Sequence, residues 1–398
     1  MKINDIHIKM FRAGSGDCIL LEFEKADFRI LIDGGFVETY QQELRPYLRM
    51  LSKKGKHINL LIISHIDQDH INGIKALLKE NENSNSPKII QIDEVWFNGF
   101  RHTEVKRDKK DISHYEEAVL RALANKNSYL EKADGSREIS YMQGNSVAEL
   151  LVKNNYHWNT SVKGNSISTD TIRHKAFGNI TFQILNPTQK ILNELAEDWL
   201  WMLKAKCKQV IISDNSLFDD AFEGAYIGEH EDWLVVKKDI SNDSENKEYN
   251  WKLLAEEDDE KADTKLSNRS SIAVLISYKG INLLFPGDCA IHFFEDRLPD
   301  KIDIVKLPHH GSGKNTDKNF IRNTYVSYYL ISTNGKHQEH PSPKIIANIL
   351  TKAPGHPMII KNYDIPILEG IGKLEREESE FVYLNLEEKV ESVDEVRF

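Results

Sequence analysis

The sequence predicts an α/β fold in which layered sheets are flanked by helices. Three observations lead there. Short apolar runs of strand length occur in both halves of the chain, with helix-spaced segments between them. Three of these runs end directly in histidine or aspartate, and active sites of layered α/β folds gather at strand ends. The chain also has 398 residues and is 40% hydrophobic, enough for a large core, in one domain with insertions or in two.

The elements follow in order. Ile6, Ile8 and Met10 alternate with polar residues, Gly14 to Asp17 reads as a turn, and Cys18–Phe23 with Arg29–Ile32 completes a meander. Glu38–Lys54 has helical spacing, with Leu44, Leu48 and Leu51 on one stripe and Pro46 as a break or first turn. Asn59–Ser64 is a buried strand, Ile71–Lys79 a helix and Ile89–Phe97 a strand. From Gly99 to about Tyr156 the pattern is mostly helical and polar. Ile180–Leu185 is a strand and Leu192–Lys208 a helix with Trp199 and Trp201 in the core. Residues 229–263 carry polar and acidic runs and read as an exposed, mobile insertion. A hairpin turns at Lys279-Gly280, and Ile302–Leu307 and Val326–Ser332 are strands. A helix runs to Leu350, and Met358–Lys361 and Phe381–Leu386 are terminal strands.

The net charge of −10 argues against a tight, nonspecific nucleic-acid binder, although bound divalent cations reverse a local field. Cys18, Cys207 and Cys289 form no framework, which predicts reduced thiols and a cytoplasmic location. No apolar run reaches membrane-spanning length, so no membrane span is expected. Cys18 and Cys289 are read as buried packing residues, Lys106 to Lys110 as a solvated helix face, and His114, His157 and His174 as ordinary histidines.

The chemistry concentrates in His65-Ile66-Asp67-Gln68-Asp69-His70, directly after a strand. His65, Asp67, Asp69 and His70 are four candidate ligands within six residues. Imidazole nitrogen with carboxylate oxygen suits zinc, manganese or iron, and cations relieve the cost of burying carboxylates together. The alternative is a polar loop in which Asp69 caps the next helix. Asp288, after Pro286-Gly287, and His309-His310, after Pro308, close two further strands.

These residues resemble the metallo-β-lactamase-fold hydrolases. Their hallmark is HxHxDH after a strand; this chain has HxDxDH, with Asp67 at the second histidine position. That variant is similar to the ComEC-like branch, which contains the C-terminal domain of a DNA-uptake channel. Gly14 to Cys18, Leu31 to Gly35, Asn268 to Ser271, Leu283 to Asp288, Lys306 to Ser312 and Ser332 to Pro343 extend the likeness over roughly residues 5–100 and 265–350.

The resemblance implies a four-layer αββα sandwich with a large, mainly helical insertion. It implies that residues 1–98 and 265–398 form the two halves and 99–264 the insertion. It further implies two divalent metal ions, zinc or manganese, with the oxygen-rich set favouring manganese. His65 and Asp67 would hold one ion, Asp69 and His70 the other, and Asp288 would bridge them. His309 would be a further ligand, His310 a supporting or substrate-contacting residue, and His340 the last ligand. Asp33 would anchor the loop from behind. Leu266 to Ser270 lacks the family's usual third-motif histidine, so the two ions would differ in affinity. A bridging water would attack phosphorus or carbonyl carbon, with Asp69 accepting its proton. The expected activity is a phosphodiesterase or nuclease acting on a phosphoester, with nucleic acid or a nucleotide as candidate substrates. The alternatives are a hydrolase of a small phosphoester or lactone, and a metal-stabilised scaffold that binds a protein partner through the insertion.

Overall fold

The computed structural model of the protein describes residues 5–109, 111–124, 129–131, 137–139, 146–206, 211–227, 249–336, 340–355, 357–369 and 395–397. The fold is mixed α/β. Among the described residues the strands in chain order are β1 (Ile6–Met10), β2 (Ile19–Phe23), β3 (Phe28–Ile32), β4 (Ile58–Ile62), β5 (Ile92–Trp96), β6 (Tyr129–Glu131), β7 (Arg137–Ile139), β8 (His174–Phe177), β9 (Ile180–Asn186), β10 (Ala273–Tyr278), β11 (Ile281–Phe285), β12 (Lys301–Lys306), β13 (Tyr325–Ile331), β14 (Met358–Lys361) and β15 (Glu395–Arg397). One sheet has the order β15-β1-β2-β3-β4-β5 and a second β14-β13-β12-β11-β10-β9-β8, while β6 and β7 pair with each other.

Strand patterning explains the two-sheet arrangement. In β1, Ile6, Ile8 and Met10 are buried and the residues between them partly exposed, so one face is apolar. Ile8, Leu21, Ile30 and Leu60 of the first sheet share an apolar cluster with Phe182, Val274, Leu283 and Ile304 of the second. The sheets therefore pack against each other. Leu20, Leu31 and Leu61 on the other face of the first sheet meet Leu48, Ile74 and Leu78 from helices. Leu275, Leu284 and Val305 on the outer face of the second meet Phe320, Ile346 and Ile349. At the β10–β11 turn Lys279 (φ 50°) and Gly280 (φ 82°) are both left-handed, the backbone that matches hairpin twist.

Parallel pairing sets where the chemistry falls. β3, β4 and β5 are parallel neighbours, as are β11, β12, β13 and β14. Their C-terminal ends carry Asp33, Ser64 to His70, Asp288 and His309-His310. The ends of the two sheets meet where Ile272 N–H donates to Ser64 O at 2.8 Å. A Cβ on Gly287 (φ 60°) would come within 2.9 Å of Ser271 Cβ and 3.0 Å of Ser64 Cβ.

The helix Gln68–Asn81 docks on the first sheet backbone to backbone. Gly34 N–H donates to His70 O at 2.8 Å and Gly73 N–H to Gly35 O at 2.7 Å. A Cβ on Gly73 would lie 1.9 Å from Gly34 O. Alanine is favoured over glycine in a helix by about 1 kcal/mol, yet here the sign reverses. We expect Gly73→Ala to destabilise the protein by about 3 kcal/mol or more, as an overpacked site with no side chain to move aside. Urea unfolding would measure it, and an unchanged midpoint would refute the close docking.

Several expectations change. The helix predicted at Glu38–Lys54 contains a π turn, Tyr40–Leu44, ahead of Arg45–Lys53. Pro46, with no N–H to continue the ladder, sits just after it. Asp69 is not a helix cap: the helix begins at Gln68, with Asp67 at the N-cap position. Within the span 99–264 the strand expected at Ile180–Leu185 is β9, which with β8 completes the second sheet, and β6 pairs with β7. Trp199 is 1% exposed against Phe100 and Phe222, but Trp201 is 72% exposed. Two helical residues lie about 200° apart at 3.6 per turn, so the pair cannot share one face. Residues 106–109 form a loop rather than a helix face.

Residues 228–248 lie outside the described residues, as does the strand expected at Phe381–Leu386. Within the expected mobile segment, residues 249–263 are packed: Trp251–Glu256 is a helix, Arg322 Nη2 donates to Ala255 O at 2.6 Å, and Lys344 pairs with Glu257 at 3.0 Å. Cys18 and Cys289 are fully buried, and burial raises both thiols above their ordinary range, in keeping with packing. Among the described residues no helix is long and apolar enough to cross a membrane.

A buried charged cluster ties the helix Gln68–Asn81 to the segment beyond β5. Glu223 accepts from Val147 N–H (2.7 Å) and Ala148 N–H (3.0 Å), and Asp220 accepts from Ser146 Oγ. Burial pushes Glu223 up to about 7, against the opposing pull of Lys75 and the two N–H groups. Burial likewise pushes Asp220 up to about 6, with Ser146 and Lys75 pulling it down and Glu149 and Asp219 adding to the rise. A carboxyl whose folded pKa is raised holds its proton in the folded state and loses it in the unfolded state between the two values. Stability is therefore fully present below the ordinary carboxyl range and falls as pH rises through about 7. We expect thermal stability to fall between about pH 4.5 and 7, with Glu223 contributing on the order of 3 kcal/mol. Glu223→Gln should flatten that slope; an equal slope in wild type and variant would refute it.

Candidate metal centre

Histidines and aspartates from both sheets converge at the strand ends. Asp288 Oδ2 lies 3.4 Å from His70 Nε2, 3.7 Å from His65 Nε2 and 3.9 Å from His309 Nε2. Asp69 Oδ2 lies 3.3 Å from His310 Nε2, and Asp69 Oδ1 3.9 Å from His70 Nε2. Two groups therefore bring three ligand-type atoms within 4.8 Å of one another: His65, His70 and Asp288, and Asp69, His70 and His310. His70 belongs to both.

The other edge of each imidazole is fixed by an oxygen. Asp33 Oδ1 accepts from Ser64 N–H at 2.7 Å and Oδ2 from Ser64 Oγ–H at 2.6 Å. Asp33 Oδ2 also faces His70 Nδ1 at 2.8 Å, and an ionised carboxylate only accepts, so Nδ1 carries the proton. Ser64 Oγ has given its proton to Asp33, so His65 Nδ1, 2.9 Å away, donates to it. His310 Nδ1 faces the Ser332 carbonyl at 2.9 Å and must donate. His309 Nδ1 faces Asn315 Oδ1 at 3.1 Å, while Asn315 Nδ2 donates to Asp288 O at 2.7 Å. Nε2 is then the nitrogen that each ring turns to the centre, and it offers a lone pair to a metal once any proton on it leaves. Nε2 of His65, His70 and His310 is buried with no hydrogen-bond partner. Buried polar atoms are normally satisfied; a cation supplies the missing partner, so this donor set fits one.

The electrostatics agree. Burial disfavours charge on every group here, yet Asp288, Asp69 and Asp33 hold His70 well above its ordinary range. Against the same burial, Asp17, Asp69 and Asp288 push His310 up to about 9. Asp288 is correspondingly held well below the carboxylate range, burial being outweighed by His70 and His309. The carboxylates outnumber their fixed counter-charges, and the imidazoles take up protons in place of a cation.

A third group, Asp17, Asp33 and His70, lies behind the centre. Asp17 is there paired with the buried Lys306, and Asp33 accepts hydrogen bonds from Ser64, so the protein already supplies partners for this layer. His309 (φ 46°) and His310 (φ 60°) are both left-handed, a strained backbone for consecutive histidines and one that concentrates at functional sites.

The sequence-derived candidates are thus placed as follows. His65, Asp69, His70 and Asp288 come together, and Asp33 stands behind them. His310, not His309, groups with Asp69 and His70. His309 is partly exposed and faces Asp263 Oδ2 at 3.5 Å. Asp67 borders His65, with Oδ2 at 3.7 Å from Nε2, and pairs with Lys265 Nζ at 2.9 Å. His340 sits at the rim, its ring 5.3 Å from that of His309, and burial with His309 and His310 lowers it to about 3. His114, His157 and His174 join no group. Asp263, Lys265 and Asn315 were missed: they lie just outside the motif segments, and only the folded chain brings them to the centre.

No curated protein matches the chain. Residues 11–112, which hold Asp17, Asp33, His65, Asp67, Asp69 and His70, match the family model of the metallo-beta-lactamase superfamily, whose members are generally metal-dependent hydrolases.

Proposed function

We propose that the chain is a dinuclear metal-dependent phosphodiesterase or nuclease of the ComEC-like branch, with zinc or manganese as its ions. The observation that carries this is the convergence of unpartnered imidazole Nε2 atoms on Asp288 and Asp69, each ring locked from behind. The HxDxDH variant with Asp67 supports the branch. The three apolar clusters, one between the sheets and one outside each, support a four-layer αββα architecture.

On this reading His65, Asp67 and Asp288 would hold one ion, and Asp69, His70, His310 and Asp288 the other. Divalent ions supply Lewis acidity and a water that ionises near neutral pH. The chain does the rest. Asp69, the most open of the three central carboxylates at 20% side-chain exposure, receives the proton of the attacking water. His309 faces the open side, its ring held through Nδ1 by Asn315, and would contact the leaving group there. His340 lines the same rim. Cytoplasmic action and a protein partner on the 99–264 span complete the proposal.

The test is turnover of single-stranded DNA, RNA, cyclic nucleotides and bis-p-nitrophenyl phosphate by protein loaded with manganese or zinc. Metal-dependent cleavage of a nucleic acid or nucleotide is the expected result. Cleavage of the small ester alone would favour a small-phosphoester hydrolase, a reading that the anionic net charge of −10 also favours. No turnover of any of them by fully metallated protein would sink the proposal.

A further inference from the structure

We propose that Lys265 is a built-in cation that competes with a metal ion for the His65–Asp67 side, so that the two sides of the centre load in unequal steps; this rests on the metal-centre reading above. The Lys265 ammonium lies 2.9 Å from Asp67 Oδ2, and that same oxygen lies 3.7 Å from His65 Nε2. A metal on this side would need the oxygen that the ammonium holds. Among the described residues the opposite side has no such competitor: the ion pairs of Asp69 are with His70 and His310, and those of Asp288 with His65, His70 and His309. An imidazole can give up a proton and bind through the lone pair left behind. A lysine ammonium must instead leave.

The structure holds Lys265 in place yet leaves it a way out. Asp263 Oδ1 accepts from Lys265 N–H at 2.9 Å, and Asp263 Oδ2 accepts from Asn268 Nδ2 at 2.6 Å and Asn315 Nδ2 at 3.1 Å. This clamp fixes the backbone from which the side chain reaches in. The Asp67 side chain is 7% exposed but that of Lys265 is 31% exposed, so the ammonium enters from the mouth and can withdraw into water. Removing the ammonium leaves a buried carboxylate with less compensation, which strengthens its demand for a metal. The cost of displacing the lysine is therefore carried by one side alone.

The experiment is titration of manganese or zinc into the metal-free full-length chain, read by calorimetry and native mass spectrometry. Wild type should show one tight step, with the second about tenfold or more weaker. Lys265→Ala should tighten the second step by about tenfold or more and leave the first unchanged, and Lys265→Gln should do the same. Lys265→Arg, which keeps the charge, should follow wild type. Two equal steps in wild type, or a second step that is unmoved, weakened or absent in both neutral variants, would overturn the proposal. Failure of every variant and of wild type to bind metal would instead overturn the metal-centre reading itself.

Discussion

Asp288→Asn should abolish tight metal binding and with it metal-dependent turnover, while leaving the metal-free fold intact. Asp288 is the carboxylate among three imidazoles, within 3.4–3.9 Å of Nε2 of His70, His65 and His309. Asparagine keeps the shape but removes the charge around which these imidazoles gather. A loss of at least 100-fold in affinity and about 1,000-fold in turnover is expected if, as proposed, Asp288 would hold both ions. The effect on stability has two parts. Without metal, and against its burial, His70 and His309 hold the Asp288 carboxyl well below its ordinary range, so its charge is favourable in the fold and asparagine should cost some stability. With metal at 100 times its Kd, wild type should gain about 2.7 kcal/mol by linkage and the variant almost nothing. Thermal unfolding with and without manganese, beside elemental analysis, separates the two. An equivalent of tightly held metal in Asp288→Asn would remove Asp288 from the centre. The pH dependence follows from the same charges. A metal must displace protons that the carboxylates hold on His70, raised well above its ordinary range, and on His310, raised to about 9. Apparent metal affinity should therefore climb with pH through about 9, where His310 gives up its proton.

How much of this site was legible in the sequence depends on how local its parts are. His65 to His70 read clearly because four ligand types sit in one loop after one strand, and strand and loop are short-range features. Asp288 and the His309-His310 pair were visible for the same reason. Which of His309 and His310 faces Asp69 was not, since two adjacent residues in left-handed backbone send their rings apart in a way that composition does not encode. Lys265 and Asp67 are separated by 198 residues, and Lys306 and Asp17 by 289; nothing local marks either pair. Asp263 was obscured by its neighbours. The acidic run before it suggested a mobile segment, whereas Arg322 and Lys344 pin that stretch to the second half of the fold. In the fold, alternating strands such as β1 and apolar runs such as β4 were readable. β8 was not: its His174, Lys175, Ala176 and Phe177 lie at a sheet edge and are partly or fully exposed, with little hydrophobic signal.

Asp33→Asn tests the layer behind the metals, and its expected effect is a loss of affinity through proton placement. Asp33 is fully buried and left-handed (φ 56°), a backbone that asparagine tolerates well, so the substitution leaves the turn intact. The amide oxygen can still accept from Ser64 N–H. The amide nitrogen, however, now points a donor at Ser64 Oγ and His70 Nδ1, both of which donated to the carboxylate. His70 can meet that donor only by moving its proton to Nε2, the atom aimed at the centre. Ser64 Oγ, no longer able to donate to residue 33, turns its proton to His65 Nδ1, and His65 too must carry its proton on Nε2. Two ligand lone pairs are lost through a residue that touches no metal. Metal affinity should fall 10- to 100-fold, the range for partners that orient a ligating histidine. Chelator competition would measure the affinity, and nitrogen NMR of the imidazoles would show the proton shift from Nδ1 to Nε2 that a merely loosened fold would not produce. Wild-type affinity in Asp33→Asn, or unchanged tautomers, would show that the carboxylate does not set the state of these histidines. Asp33→Ala separates the structural part. It leaves Ser64 N–H and His70 Nδ1–H without acceptors and places a Cβ residue in left-handed backbone with no polar side chain to compensate. It should therefore cost about 3–5 kcal/mol of stability where asparagine costs far less.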